Sequence, residues 1–447
     1  MTVYSSTQLP HWARHYLAGA LDLPLNRVRV IKPHTGGSFG GRCGLIHGLE
    51  VMCSWLSRRT GQPVRMSFTR EEDMMATETR HPMTIRMKTG ATESGILTAN
   101  KVEIVSDVGA YGTHYIGVIA DCLSTGVGLY KIPNYSFSAT AVFTDKSPGG
   151  ALRGYGNPQM NFAQESQMDM IAENLQIDHL QLRLKNYRGP GEIDQVLNQE
   201  IGSNGLAECL EKGAVSSDWQ KKRHQKTIKG ALKRGIGLST MMHGTGAGKA
   251  LPDPAAAAVM INADGSVNLV TAAADEGQGN GTVLAQIASE TLGIDFDKIS
   301  VSETDTDITP LDCGTHGSRQ AYGGGLAVRA VATEARKKLL TYVKKELGVM
   351  EDQLRIKDAT TFEAKNPDNN ILISNLMRKT QIHTKVILKG ERPPCLKSQQ
   401  QCRGCFGWRN MLKAAQTDNF WQSYPFRCSL TGLTLKVKGK TPNVECL

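Results

Sequence analysis

Apolar residues recur at helical spacing over residues 7–21, and again over 45–59, where Leu45, Leu49, Met52 and Leu56 fall on one stripe. The short apolar run 28–31 between them predicts a strand. Residues 66–68 and 83–87 predict short strands, and 96–106 and 137–143 predict longer ones rich in β-branched and aromatic residues. A helix is expected over 157–176, capped by Asn157 with Pro158 in its first turn. Asp178 and Gln181 predict a capping box for the next helix. Further on, 205–211 reads as a short helix, 219–229 as a basic connector, and 235–240 as the start of a second α/β unit. Asp264 and Gly265 lie between two β-rich runs, 256–262 and 266–271, and predict a hairpin. Helices over 282–292 and 326–347, the latter ended by Gly348, flank a strand over 299–303. The periods define a mixed α/β chain of the α+β class. A first domain is expected over 1–190, a second over 200–385, and an irregular basic tail over 386–447.

Four glycine-rich segments interrupt this pattern. They are GGSFGGR at 36–42, ALRGYGNPQ at 151–159, GQGNGT at 277–282 and GTHGSRQ at 314–320. Each lies where a loop gives way to a regular element, the position at which backbone N–H groups meet an anion. Arg153 reads as a buried guanidinium on one of them. Four such loops predict one large, phosphate-bearing cofactor. The first lacks the Lys-Ser/Thr pair of a nucleotide P-loop, and no acidic residue follows at the dinucleotide spacing.

Charge narrows the field. The net charge of +10 is uneven, because residues 386–447 hold ten Lys/Arg against three Asp/Glu, a net +7. The rest is near neutral and gives no reason to expect nucleic acid. No long apolar run predicts a membrane span and no leader is visible at Met1, so the expected location is the cytoplasm. Cys43, Cys53, Cys122, Cys209 and Cys313 are far apart and read as reduced thiols. The other five cysteines follow residue 394, where Cys402-Arg-Gly-Cys405 with Cys395 or Cys428 matches a zinc knuckle only weakly. The tail also fits an aromatic-dotted basic nucleic-acid binder, or out-of-frame coding sequence. His34, His81, His243 and His316 pair with nothing at zinc-ligand spacing.

The order of the loops, with TREEDMMATETRHP at 69–82 and DEGQGNGT at 275–282, resembles the molybdopterin-binding large subunit of the xanthine dehydrogenase and aldehyde oxidase family over residues 1–350. The resemblance implies a molybdenum–molybdopterin cofactor, with the cytosine dinucleotide form as one option. Gly37, Phe39, Gly40 and Arg153 would lie at the metal's oxo side. Gly277, Gln278 and Gly279 would meet the pterin. Thr315, Gly317, Ser318, Arg319 and Gln320 would hold pterin and phosphates, with the planar Arg319 fork suited to a second phosphate. An ion pair is the other reading of Arg319. Arg80 would orient substrate or stabilise developing charge; its alternative is a salt bridge to Glu71, Glu72, Asp73 or Glu78. Tyr155 would stack on a flat substrate opposite Leu238, where purine-oxidising members carry an aromatic. Cys43 stands at their substrate glutamate and is read as packing. Gly154 replaces the cysteine that carbon monoxide dehydrogenases carry after the loop arginine.

The family's general base is a glycine-flanked glutamate that deprotonates a metal-bound hydroxyl. Glu391, in Gly390-Glu391-Arg392-Pro393, is superficially similar but too early and is not assigned. The implied enzyme hydroxylates an aldehyde or N-heteroaromatic with water as oxygen source. Its [2Fe-2S] clusters and FAD would sit on iron–sulfur and flavin partner subunits, since no cluster-type cysteine run occurs. The base would come from a second molybdopterin subunit. A non-catalytic cofactor-binding subunit and a reductive hydroxybenzoyl-thioester enzyme are the alternatives.

Overall fold

The structure is a computed structural model that describes residues 1–44, 48–194, 199–224, 235–246, 253–379, 388–391 and 434–438. Helices and sheets are mixed, as the α+β reading expects. The chain divides into two compact units that interleave in sequence: Met1–Asp73 joins the chain from Gly244 onward, and Met74–His243 forms the body of the other. Compactness thus follows long-range pairing and cuts across the sequential division near 190–200.

In the first unit, the Ala256–Ile261 and Val267–Thr271 strands pair antiparallel around Gly265, whose φ of +84° suits the hairpin turn. Ile299–Val301 adds in parallel on one side and Leu388–Glu391 antiparallel on the other. The Asn280–Leu292 and Gly325–Leu347 helices bury Leu284, Leu292, Val328, Val331 and Leu339 among the inward strand residues Val259 and Leu269. Gly348, at φ +69°, ends the longer helix as predicted. A second core lies under the Pro10–Ala20 helix, where Ala13 and Leu17 pack on Val28 and Val30. The helix expected from 45 runs Leu49–Thr60, but its stripe faces outward: Met52 is 40% exposed and Leu56 37%. Val51 packs on the core instead, so the period was legible and the buried face was not. No strand forms over 66–68.

In the second unit, Met83–Ala91 and Leu97–Gly109 form a long hairpin, and Asn134–Phe143 adds in parallel. Val102, Ile104, Phe137 and Ala139 alternate inward against Cys122, Met160 and Met168 of the Tyr115–Gly128 and Asn157–Leu175 helices. Asp178 caps the His179–Asn186 helix, accepting from the N–H groups of Leu180 and Gln181 at 2.9 and 3.2 Å. Two expectations change here. Residues 235–240 take no regular structure and belong to this unit rather than opening the next. Asn157 is not a cap: it lies inside the helix after Gly156, and its Nδ2 donates to the Met242 carbonyl.

The five cysteines up to Cys313 form no disulfide among the described residues. Among the described residues no helix is long and apolar enough to cross a membrane, and no group of three or more His, Cys, Asp or Glu is placed to hold a metal ion. The C-x-x-C segment lies outside the described residues.

Candidate functional site

Three of the glycine-rich loops belong to the first unit and meet there. The loop before the Asn280–Leu292 helix is wound on its own carboxylate. Asp275 Oδ1 accepts from the N–H groups of Gly277 (2.9 Å) and Gly279 (3.3 Å), and Oδ2 from Gly281 (3.3 Å). Burial pushes the Asp275 carboxyl up, but these N–H groups and Lys32 more than offset it and hold it below the usual carboxylate range. The N–H nest that the sequence offers to a phosphate is therefore filled internally. Gln278 turns back as well: its Oε1 accepts from Glu276 N at 2.7 Å and its Nε2 donates to Ala274 O at 3.3 Å.

Arg319 is placed differently from the phosphate-binding reading. It is 1% exposed. Nε lies against the Asp253 carboxylate, Nη1 donates to Asp312 Oδ1 (2.7 Å) and Gly314 O (2.9 Å), and Nη2 to Pro254 O (2.8 Å) and Asp253 O (3.3 Å). Both terminal nitrogens are fully engaged and Nε is in an ion pair, so no fork remains for a phosphate. Gln320 Nε2 joins the same knot, donating to Asp312 Oδ1 and Gly314 O at 3.0 Å each. The loop above the knot turns through positive φ at Gly317 (+52°) and Ser318 (+54°). Among the described residues no acceptor meets the N–H of either.

Two groups tie the loops together. The Ala274 carbonyl accepts from Thr315 Oγ1 (2.6 Å), Asn280 Nδ2 (2.9 Å) and Gln278. The Gln8 side chain accepts from the N–H of Gly40 (3.0 Å) and donates to Thr315 O (2.6 Å). In the first loop, Gly37 (φ +117°) and Gly40 (φ +102°) flank Phe39, itself at φ +54° and 63% exposed. A methyl at Gly37 would lie 2.9 Å from the Phe39 ring, so the ring rests where only glycine fits. Cys43 closes this loop through its N–H to Gly40 O and is buried.

Glu276 escaped the sequence reading. Both carboxyl oxygens are buried without a well-formed hydrogen bond among the described residues, as is the neighbouring Ser38 Oγ. Burial raises the Glu276 pKa and favours the neutral form, against the opposing pull of Ser38, Lys32 and Arg42. The acid directly before Gly277-Gln278-Gly279 was the available signal.

In the second unit, Arg153 is exposed rather than buried, and its carbonyl accepts from Arg80 Nη2 at 2.6 Å. Arg80 Nη1 reaches Tyr155 O (3.3 Å) and Gln159 Oε1 (3.1 Å). Its bonds thus run to the loop rather than to the carboxylates weighed for it. Burial lowers its pKa. Tyr155 is held at φ +55°, with its hydroxyl 3.0 Å from His114 Nδ1 and its ring edge-on to that imidazole. Asp121 accepts from the N–H of Gly156 and Asn157, 2.9 Å each, and so occupies the helix start that the sequence offered to an anion. Leu238 packs on Leu180, Leu210 and Trp219, a small apolar cluster.

Molybdopterin cofactor-binding domains match residues 1–187 and 212–432, the second reaching into the segment set apart from 386. The chain is 36% identical over 345 residues to the xanthine dehydrogenase molybdenum-binding subunit of Escherichia coli O157:H7, covering 76% of this chain and 46% of that protein. It is 40% identical over 215 residues to the nicotinate dehydrogenase large molybdopterin subunit of Eubacterium barkeri, covering 47% and 49%. Quinoline 2-oxidoreductase from Pseudomonas putida 86 has a similar fold, with a TM-score of 0.76 at 22% identity over 87% of this chain and 52% of that one. The chain spans about half the length of these relatives.

Proposed function

The chain belongs to the xanthine dehydrogenase and aldehyde oxidase family of molybdopterin-binding large subunits, and we propose that it forms the cofactor-holding part of a molybdenum hydroxylase. Its substrate would be an aldehyde or an N-heteroaromatic, with water as oxygen source. Iron–sulfur and flavin partner subunits would carry [2Fe-2S] and FAD, in the cytoplasm. When bound, the molybdenum–molybdopterin supplies the oxygen-transfer and two-electron redox chemistry.

The observation that supports this most is the meeting of three glycine-rich loops on Gln8 and the Ala274 carbonyl. The residues beside them fit a polar heterocycle. Glu276 and Ser38 bring buried oxygens without well-formed hydrogen bonds to the first two loops, a mismatch that a ligand's N–H and O–H groups resolve. Phe39 would offer an apolar face and Gly40 close backbone approach. The N–H groups of Gly317 and Ser318 would take phosphate. Arg319, engaged by Asp312 and the Pro254 carbonyl, offers nothing to a cytosine dinucleotide, and any second phosphate would fall to this same turn. Arg80 would act by holding the Arg153–Tyr155 carbonyls in place, leaving Arg153 and Tyr155 to face substrate. No described residue is assigned as the general base.

Production in cells that make the cofactor, followed by assay of molybdenum and of oxidised pterin fluorescence, tests this reading. One pterin per chain is expected, and a chain that purifies without pterin from a competent host rejects it. Turnover of an aldehyde or nicotinate with an artificial acceptor, with and without partner subunits, separates an enzyme from a cofactor-binding subunit.

A further inference from the structure

The turn over residues 109–114 lies outside every glycine-rich motif of the sequence. It winds through Gly109, Tyr111, Gly112 and His114 at φ +65°, +65°, +56° and +55°, and delivers His114 to the start of the Tyr115–Gly128 helix. The Tyr155 ring is seated there. Its hydroxyl lies 3.0 Å from His114 Nδ1 and 3.4 Å from His114 O, and the two rings meet edge-on at 83° with centroids 5.8 Å apart. Gly117 is the floor of the seat: a methyl on it would stand 2.5 Å from the hydroxyl and 3.0 Å from Cε1 of Tyr155. Thr113 Oγ1 fastens the turn to Gly149 O (2.9 Å), just upstream of the Tyr155 loop. Tyr155 is half-buried, left-handed at φ +55°, and donates its N–H to Leu152 O (2.7 Å). Two non-glycine residues in the left-handed region thus meet side chain to side chain, an arrangement that persists only where the surroundings over-determine it.

We propose that His114 is a positioning residue that pins the Tyr155 ring by its hydroxyl, so that the ring stands as a fixed wall for a flat substrate. The inference rests on the proposed reading that Tyr155 faces substrate. The pin needs a phenol on one side and a polar atom at the δ position on the other. Tyr155→Phe fills the seat but has no hydroxyl to tie. His114→Phe keeps the edge-on ring contact and loses the bond. His114→Asn carries a polar atom at the same branch and tolerates positive φ, so it restores the pin. Gly117→Ala leaves His114 intact and lifts the ring off its floor. A pinned ring already holds its binding orientation, so the pin acts on substrate binding and leaves the chemical step alone.

In the cofactor-loaded protein with its partner subunits, His114→Phe should raise KM for nicotinate about fivefold with kcat held within about twofold, and leave KM for acetaldehyde unchanged. His114→Asn should recover most of the loss, and Gly117→Ala should reproduce it. In a Tyr155→Phe background His114→Phe should add nothing further, a coupling that general loosening does not give. A second arm needs no cofactor. In the full chain carrying ring-labelled tyrosine, the NMR signals of Tyr155 are assigned by their loss in Tyr155→Phe. They should report slow ring flipping in wild type and His114→Asn, and fast flipping in His114→Phe. Amide exchange in the Met83–Ala91 strand of the same unit should hold steady and certify folding. Wild-type ring flipping in His114→Phe, equal KM changes for nicotinate and acetaldehyde, or turnover of acetaldehyde alone by wild type overturns the proposal. Should wild type turn over neither, the functional reading fails, and the ring-flip arm still decides whether His114 pins Tyr155.

Discussion

The glycine-rich loops of the two units are braced by opposite means. In the first unit, Asp275 and Asp312 reach into the loops and collect their N–H groups, with buried Arg319 as counterion to Asp312. In the second, the half-buried cation Arg80 collects the carbonyls of Arg153 and Tyr155, while Asp121 takes the N–H groups at the helix start. Glycine supplies the positive φ in both, yet the N–H groups that these aspartates collect are not left for an anion. A glycine-rich loop is a flexible backbone with donors to satisfy, and an internal carboxylate satisfies them as well as a phosphate does.

The sharpest way to break the comparison is Arg319→Met. It leaves two buried carboxylates without their cation and should cost about 3–5 kcal/mol in urea denaturation of the cofactor-free chain. Unchanged stability would return Arg319 to phosphate binding. The units should behave alike in acid. Burial lowers His11 in the first and His81 in the second to about 4. Both stay neutral when folded, so stability should decline as pH falls from about 6.5 towards 4, by roughly 3 kcal/mol for each imidazole. His11→Gln and His81→Gln should each flatten part of that limb in a pH series of melts.

Arg80→Ala removes a more exposed brace and should cost only about 1–2 kcal/mol. Its mark should be faster amide exchange over 153–157 with the first unit's loops unaffected; equal loosening of Gly277 and Gly314 would deny the two braces their independence. The smallest contrast lies between neighbours. Asp275, held low by N–H groups, stabilises the fold above the ordinary carboxylate pKa of about 4 and loses this as pH falls through its lowered value. Glu276, raised by burial, subtracts stability once pH exceeds its unfolded value. At pH 7, Asp275→Asn should therefore lower the melting temperature and Glu276→Gln raise it, both differences shrinking towards acid. Shifts of the same sign would refute the assignment.

Part of this bracing was legible beforehand. Asp275-Glu-Gly277 and Asp312-Cys-Gly314 carry the D-x-G spacing of an Asx turn, so the carboxylate in each loop could have been read locally. Asp121 and Gln8 could not, because they reach Gly156 and Thr315 from distant segments. Leu49, Met52 and Leu56 show the same limit: their period fixed a helix, but which face met the core depended on a partner the period does not name.

Alone, the sequence determined the helices and strands of strong period, the turns at Gly265 and Gly348, and the ordered series of loops that marks the family. Those depend on neighbours a few residues apart, whose spacing the chain states directly. Tertiary structure decided what the loops hold. It buried Arg319 between two aspartates, exposed Arg153, left Glu276 without a well-formed hydrogen bond and brought Gln8 to Thr315. The reason is that a polar group's role is set by the partner that reaches it first, and in a folded chain that partner comes from anywhere along the sequence.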